Sequence, residues 1–136
     1  MVQQIEVTLP KLSRGIHLIT SHILPELPPL PHSGLMHVFV KHTSAAISIN
    51  ENADPSVRND LHTSLELLVP ENQEHFTHLD EGPDDMPSHI KLALVGNEIT
   101  VPITNNKLNL GVWQGFYFYE FRNNPGPRKL VITITS

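Results

Sequence analysis

The stretch Trp113–Arg122, Trp-Gln-Gly-Phe-Tyr-Phe-Tyr-Glu-Phe-Arg, constrains this chain more than any other. Its aromatic residues suit a strand. Successive strand side chains point to opposite faces, so Phe116 and Phe118 face one way and Trp113, Tyr117, Tyr119 and Phe121 the other. Both faces are therefore apolar. A chain of 136 residues fits one domain, spanning 1–136, with one core. The second apolar face then needs another cover, either a helix of the same chain or a neighbouring subunit. The enrichment of aromatic residues at interfaces favours the subunit.

Other strands read around it. Val2–Leu9 alternates like a half-buried strand, Gly15–Thr20 is a second short one, and Leu35–Lys41 is strongly β-forming. Ala45–Ile49, Glu98–Ile103, Lys107–Leu110 and Lys129–Thr135 complete the set. Asn105-Asn106 and Asn123–Pro127 are turn signals, and the prolines at 25, 28, 29 and 31 force a turn-rich passage. One helix begins at Asp54-Pro55, a good N-cap and first-position pair, and ends at Pro70. Val57, Leu61, Leu65 and Leu68 form its apolar stripe. A second helix starts near Pro87, carries Ile90 and Leu94 one turn apart, and ends at Gly96. Strands outnumber helices and turns are short. The expected fold is α+β, an antiparallel sandwich or open barrel with two packed helices.

Composition narrows the chemistry. There is no cysteine, which excludes disulfides, thiolate metal sites and a cysteine nucleophile, and suits a cytoplasmic setting. The formal net charge of −5 argues against a nucleic-acid partner. No apolar run approaches the ~20 residues of a membrane helix, and residues 1–9 lack signal-peptide character. Nine histidines match nine lysines plus arginines, which points to imidazole ligands or acid–base work. Solvated surface histidines are the plainer alternative.

Three histidines stand out by context. His42 follows the Leu35–Lys41 strand, and parity sets it on the face of Val38 and Val40, the expected inward face. Thr43 and Ser44 come next. A hydrogen-bonded core histidine is the competing account. His78 lies after the first long helix and His89 on the first turn of the second, with Asp80, Glu81, Asp84 and Asp85 between them. Metal sites need anchored ligands and carboxylates that orient the imidazoles. Asp85 suits helix capping; Asp80, Glu81 and Asp84 exceed what capping requires and can hold Mg²⁺ against a diphosphate. Asn50-Glu51-Asn52 precedes a helix N-terminus, where Glu51 can act as a general base if burial raises its pKa, or the segment simply turns the chain. No P-loop, GxGxxG, GxSxG or HExxH motif is present, which disfavours the corresponding chemistries.

His42-Thr-Ser-Ala-Ala46, Asn50-Glu-Asn52, His78, Glu81-Gly-Pro-Asp-Asp-Met-Pro87, His89-Ile-Lys91 and Leu110-Gly-Val-Trp-Gln-Gly115 resemble, in order and spacing, the YjbQ family, named for secondary thiamine-phosphate synthase activity. The resemblance covers essentially the whole chain. It implies a homotrimeric β-rich sandwich with sites near subunit boundaries, and a reaction joining a pyrimidine methyl diphosphate to a thiazole phosphate with release of diphosphate. It also implies a divalent metal on His42, His78 and His89, read as Zn²⁺ or similar; Mg²⁺ alongside diphosphate remains the reading of the acidic loop. Family members usually carry Thr where this chain has Val112. If that hydroxyl binds substrate, one hydrogen bond is lost here; if it is structural, little changes.

The expectation is metal-assisted transfer on a phosphorylated heterocycle. Glu51 and Asp84 are the candidates for proton transfer or ligand orientation, and Ser44, Asn50 and Gln114 for substrate contact. A developing diphosphate needs positive charge, in which this chain is poor and which a metal can supply. A non-catalytic metal or metabolite-binding module and a metal-dependent hydrolase are the alternatives.

Overall fold

The computed structural model describes residues 1–136. Eight strands form, β1 (Val2–Thr8), β2 (Gly15–Leu18), β3 (Ser33–Val40), β4 (Ala45–Glu51), β5 (Glu98–Thr104), β6 (Lys107–Leu108), β7 (Gln114–Glu120) and β8 (Lys129–Thr135). They build two antiparallel sheets, ordered β1-β8-β3-β5-β6 and β2-β7-β4. The helices are α1 (Thr20–Ile23), α2 (Pro55–Leu68) and α3 (Asp85–Val95). The architecture is the expected α+β sandwich, with a short third helix where the proline-rich passage begins. No helix is long and apolar enough to cross a membrane.

Strand parity holds along β7. Phe116 and Phe118 enter the core between the sheets with Met36, Val38, Ile47 and Ile132. Tyr117, Tyr119 and Phe121 enter a second cluster with Ala46 and Leu65. That cluster is closed by α2 and α3 through Val57, Leu61, Leu92 and Val95. The expected subunit cover is thus corrected: the facing sheet buries one side of β7 and helices of the same chain bury the other, to 0% exposure at Tyr117. Trp113 lies outside the strand and is 63% exposed.

The helices begin and end for local reasons. Asp54 accepts a hydrogen bond from the Ser56 N–H at 2.9 Å, with Pro55 in the first turn. The packing stripe is Val57, Leu61 and Leu65; Leu68, at the frayed end, is 69% exposed. α3 starts two residues before Pro87 and stops at Gly96, whose φ of 104° favours glycine. Its inward face is Ser88, Lys91, Leu92 and Val95, so Ile90 and Leu94 do not form the packing stripe expected of them. Buried Lys91 donates to Glu66 at 2.8 Å and lies over the Phe121 ring. At the other end of β7 a Cβ on Gly115 would stand 2.7 Å from Leu18 Cδ1 and 3.0 Å from Asn52 Cβ, so a larger residue there forces its neighbours to shift.

Candidate metal centre

α3 places Asp85 and His89 four residues apart, hence on one helical face. The loop between α2 and α3 swings His78 against them, its ring centroid 5.4 Å from that of His89. Asp85 Oδ2 lies 2.6 Å from His78 Nε2 and 3.2 Å from His89 Nε2. The three donor atoms all fall within 4.8 Å of one another. Asp85 is 1% exposed, while the His78 and His89 side chains are 48% and 30% exposed. The cluster has a buried carboxylate floor and a solvent-facing imidazole rim.

Asp85 is held from behind. Arg122, just beyond β7, donates from Nη1 to Asp85 Oδ1 at 2.5 Å, from Nε to Asp84 Oδ2 at 2.8 Å and from Nη2 to the Glu81 carbonyl at 2.8 Å. Burial alone pushes the Asp85 carboxyl up, but the His78 hydrogen bond and the charges of His89 and Arg122 hold it below the usual carboxylate range. Asp84 behaves alike: burial is outweighed by the Asn123 N–H and Arg122, and its pKa is lowered.

The donor set fits a divalent cation. His89 Nδ1 sits 2.6 Å from the Thr43 carbonyl oxygen, which can only accept. Nδ1 therefore carries the hydrogen, and in a neutral ring the Nε2 lone pair faces a carboxylate oxygen. Two acceptors at 3.2 Å need a cation to reconcile them, either a proton on Nε2 or a metal ion. A backbone carbonyl fixing the outer nitrogen is the usual support of a metal-bound histidine. Two imidazoles and one carboxylate suit Zn²⁺, Ni²⁺, Mn²⁺ or Fe²⁺.

Two of the three predicted histidines therefore meet, and Asp85 stands with them. His42 lies past the end of β3, half-buried, and its Nε2 accepts from the Lys129 N–H at 2.8 Å. Burial, followed by the charge of Arg128, lowers its pKa. Ser44 is buried, its hydroxyl accepting from Arg128, which forms a buried pair with Glu120. Asp84 is a tie to Arg122.

Glu51 accepts from the N–H groups of Ala53 and Asp54 at 3.0 and 2.8 Å, and so shapes the turn into α2. Asn50 Oδ1 accepts from the Glu51 N–H, and Gln114 Oε1 from the Gly111 N–H. Glu51 pairs with Gln114 and Ala45 with Glu120 along the β4–β7 ladder. Six strand steps at ~3.3 Å separate the Asn50–Glu51–Gln114 end from the histidine end by roughly 20 Å. Within one chain Asn50 and Gln114 do not surround the His78–Asp85–His89 cluster, whereas Ser44 follows Thr43, whose carbonyl meets His89.

Asp85 reads from the sequence as a helix cap, yet Asp-x-x-x-His at a helix start is also a legible ligand spacing. Arg122 carries no local signal, since its contact with Asp85 spans 37 residues.

A family model described as UPF0047 protein YjbQ-like matches residues 3–136. The UPF0047 protein YjbQ of Salmonella typhimurium is 43% identical over 136 residues, 98% of each chain. Its counterpart from Escherichia coli O157:H7 is 40% identical over 98% of each. Among solved structures, a conserved hypothetical protein of Thermus thermophilus matches with a TM-score of 0.81 at 30% identity, covering 94% of this chain and 97% of that one. A YjbQ/UPF0047 family protein of Clostridium acetobutylicum matches with a TM-score of 0.81 at 35% identity, covering 96% and 99%.

Proposed function

The chain belongs to the YjbQ-like UPF0047 family, and we propose that it is a divalent-metal-dependent enzyme acting on a small phosphorylated molecule at His78, Asp85 and His89. The convergence of these three donors within 4.8 Å, with His89 fixed by the Thr43 carbonyl, carries the reading. A bound divalent ion supplies Lewis acidity and positive charge for phosphate oxygens. The chain's own cation beside the site, Arg122, is committed to Asp84 and Asp85. It holds Asp85 ionised and aims Oδ2 at the imidazoles.

The specific reaction to test is thiamine-phosphate synthesis, in which the pyrimidinylmethyl carbon forms a C–N bond to the thiazole nitrogen as its C–O bond breaks and diphosphate leaves; Mg²⁺ can accompany the diphosphate. We place it in the cytoplasm, which a cysteine-free chain suits. Purified protein is incubated with both precursors and Zn²⁺, Mn²⁺, Ni²⁺, Fe²⁺ or Mg²⁺. Thiamine phosphate that vanishes in Asp85→Ala is expected; no product with any metal refutes the synthase reading. The half-exposed rim at His78 favours a second reading, a metal-dependent hydrolase, because it admits water to the ion. Turnover across a panel of phosphate esters and amides separates the two, and metal binding without turnover marks a non-catalytic module.

The proposed assembly is a closed homotrimer. Head-to-tail rings set one face of a subunit against a different face of the next. In the proposed ring the Asn50–Glu51–Gln114 end of one copy meets the histidine end of its neighbour. Exposed Val112 and Trp113 beside Gln114 support that end as the contact. Light scattering at micromolar concentration is expected to return three times the chain's 15.3 kDa; a monomer contradicts it.

A further inference from the structure

α3 carries two stripes side by side. Asp85 and His89 form the donor stripe, and Met86 and Ile90, each one position later, form an apolar stripe rotated about 100° around the helix. Neither Met86 nor Ile90 belongs to the two buried clusters of the core. They instead wall a cavity of about 150 Å³, completed by His75, Phe76, Thr77 and His78. Phe76 is 9% exposed and is braced by His75 packed edge-on at 4.8 Å, so the far wall is a fixed ring. His78 belongs to both features: it borders the cavity and contacts Asp85. An apolar cavity of this size holds one benzene ring. Phe76, Met86 and Ile90 offer apolar walls, while His75, Thr77 and His78 make the other half of the lining polar.

We propose that this cavity is the substrate's ring subsite: the ligand is a molecule whose oxygen-bearing head engages the cation at His78–Asp85–His89 and whose single aromatic or heteroaromatic ring lies between Phe76, Met86 and Ile90. The proposal rests on the metal reading of the site. It adds a size match that the donors alone do not impose: a single ring suits the volume, and a bare phosphate leaves it empty.

The test uses the whole chain loaded with Co²⁺, whose visible spectrum reports both ion binding and a change of ligand. Two probes share one chelating head and differ only in the tail: acetohydroxamate and benzohydroxamate. The ring's burial predicts that benzohydroxamate binds about tenfold tighter. Ile90→Trp, and separately Met86→Phe, fill the cavity without touching a donor atom. Each is expected to abolish the preference while Co²⁺ affinity and acetohydroxamate affinity stay unchanged. Equal affinities for the two probes in the unmodified chain, or a preference that survives both fillings, overturn the ring subsite and leave the metal site standing. Failure to bind Co²⁺ overturns the metal reading and the subsite with it. Should neither variant fold, the comparison of the two probes on the unmodified chain decides alone.

Discussion

Asp85→Asn is the most informative single change. The substitution keeps the shape and removes the charge. In the native chain Asp85 is 1% exposed and meets His78, His89 and Arg122 at 2.6, 3.2 and 2.5 Å. Removing one partner of a fully buried pair costs about 3–5 kcal/mol. Arg122 retains Asp84 and the Glu81 carbonyl and its side chain is 24% exposed, so the loss is smaller, about 2–3 kcal/mol. For a domain of this size that lowers Tm by about 10 °C. The pH dependence follows from the lowered Asp85 pKa. The unfolded carboxyl holds its proton to a higher pH than the folded one. Its stabilisation is therefore complete above the unfolded value of about 4 and is lost as pH falls through the folded pKa. The variant loses less stability than the native chain on acidification below about pH 4. Divalent-metal affinity should fall at least about 100-fold, the upper end of what losing a mere supporting partner costs. Calorimetric melting from about pH 7 to about pH 3 and metal titration read both effects. Unchanged metal affinity refutes the assignment of Asp85 as a ligand; an unchanged Tm refutes the energetic account of the Arg122 tie.

His42→Ala removes the acceptor of the Lys129 N–H and should cost about 1–2 kcal/mol with metal content retained; loss of metal from the folded variant puts His42 among the ligands. His42 is held neutral by burial and by Arg128, so the folded state binds fewer protons than the unfolded one. Its contribution is complete above the unfolded value of about 6.5 and is lost as pH falls through the folded pKa, and His42→Gln should flatten the stability profile there. Gly115→Ala forces a Cβ toward Leu18, Asn52 and Thr20 and should lower stability by about 1–3 kcal/mol; a neutral effect in urea unfolding contradicts the close packing. Leu65→Ala opens a hole between α2 and the Tyr117–Tyr119 face and should cost about 2–4 kcal/mol by the same measurement, whereas Leu68→Ala, exposed at the helix end, should cost little.

The strands and both long helices were legible because their signals are local. Period-two alternation set the faces of β7 residue by residue, the Asp54-Pro55 pair started α2, and Gly96 ended α3. His78 and His89 were legible as ligand candidates from their residue type and flanking carboxylates. The ends of the packing stripes were not. Leu68 and Leu94 have the spacing of core residues, yet both face solvent, because periodicity names a face and only the neighbouring element decides whether it is covered.

What the sequence determined alone is the strands and the two long helices, the two-sided burial of β7 and the residue types from which a site can be made. The tertiary structure decided what covers β7 and which candidates meet. Sheet order β2-β7-β4 sets α2 and α3 over the face that the local pattern left open. It also carries Arg122 to Asp85 across 37 residues and the Thr43 carbonyl to His89 across 46, while parting Glu51 and Gln114 from them by the length of a strand. The physical reason is range: propensity, capping and alternation act over a few residues, whereas a metal site is a meeting of chain segments that only the register of paired strands and packed helices brings within bonding distance.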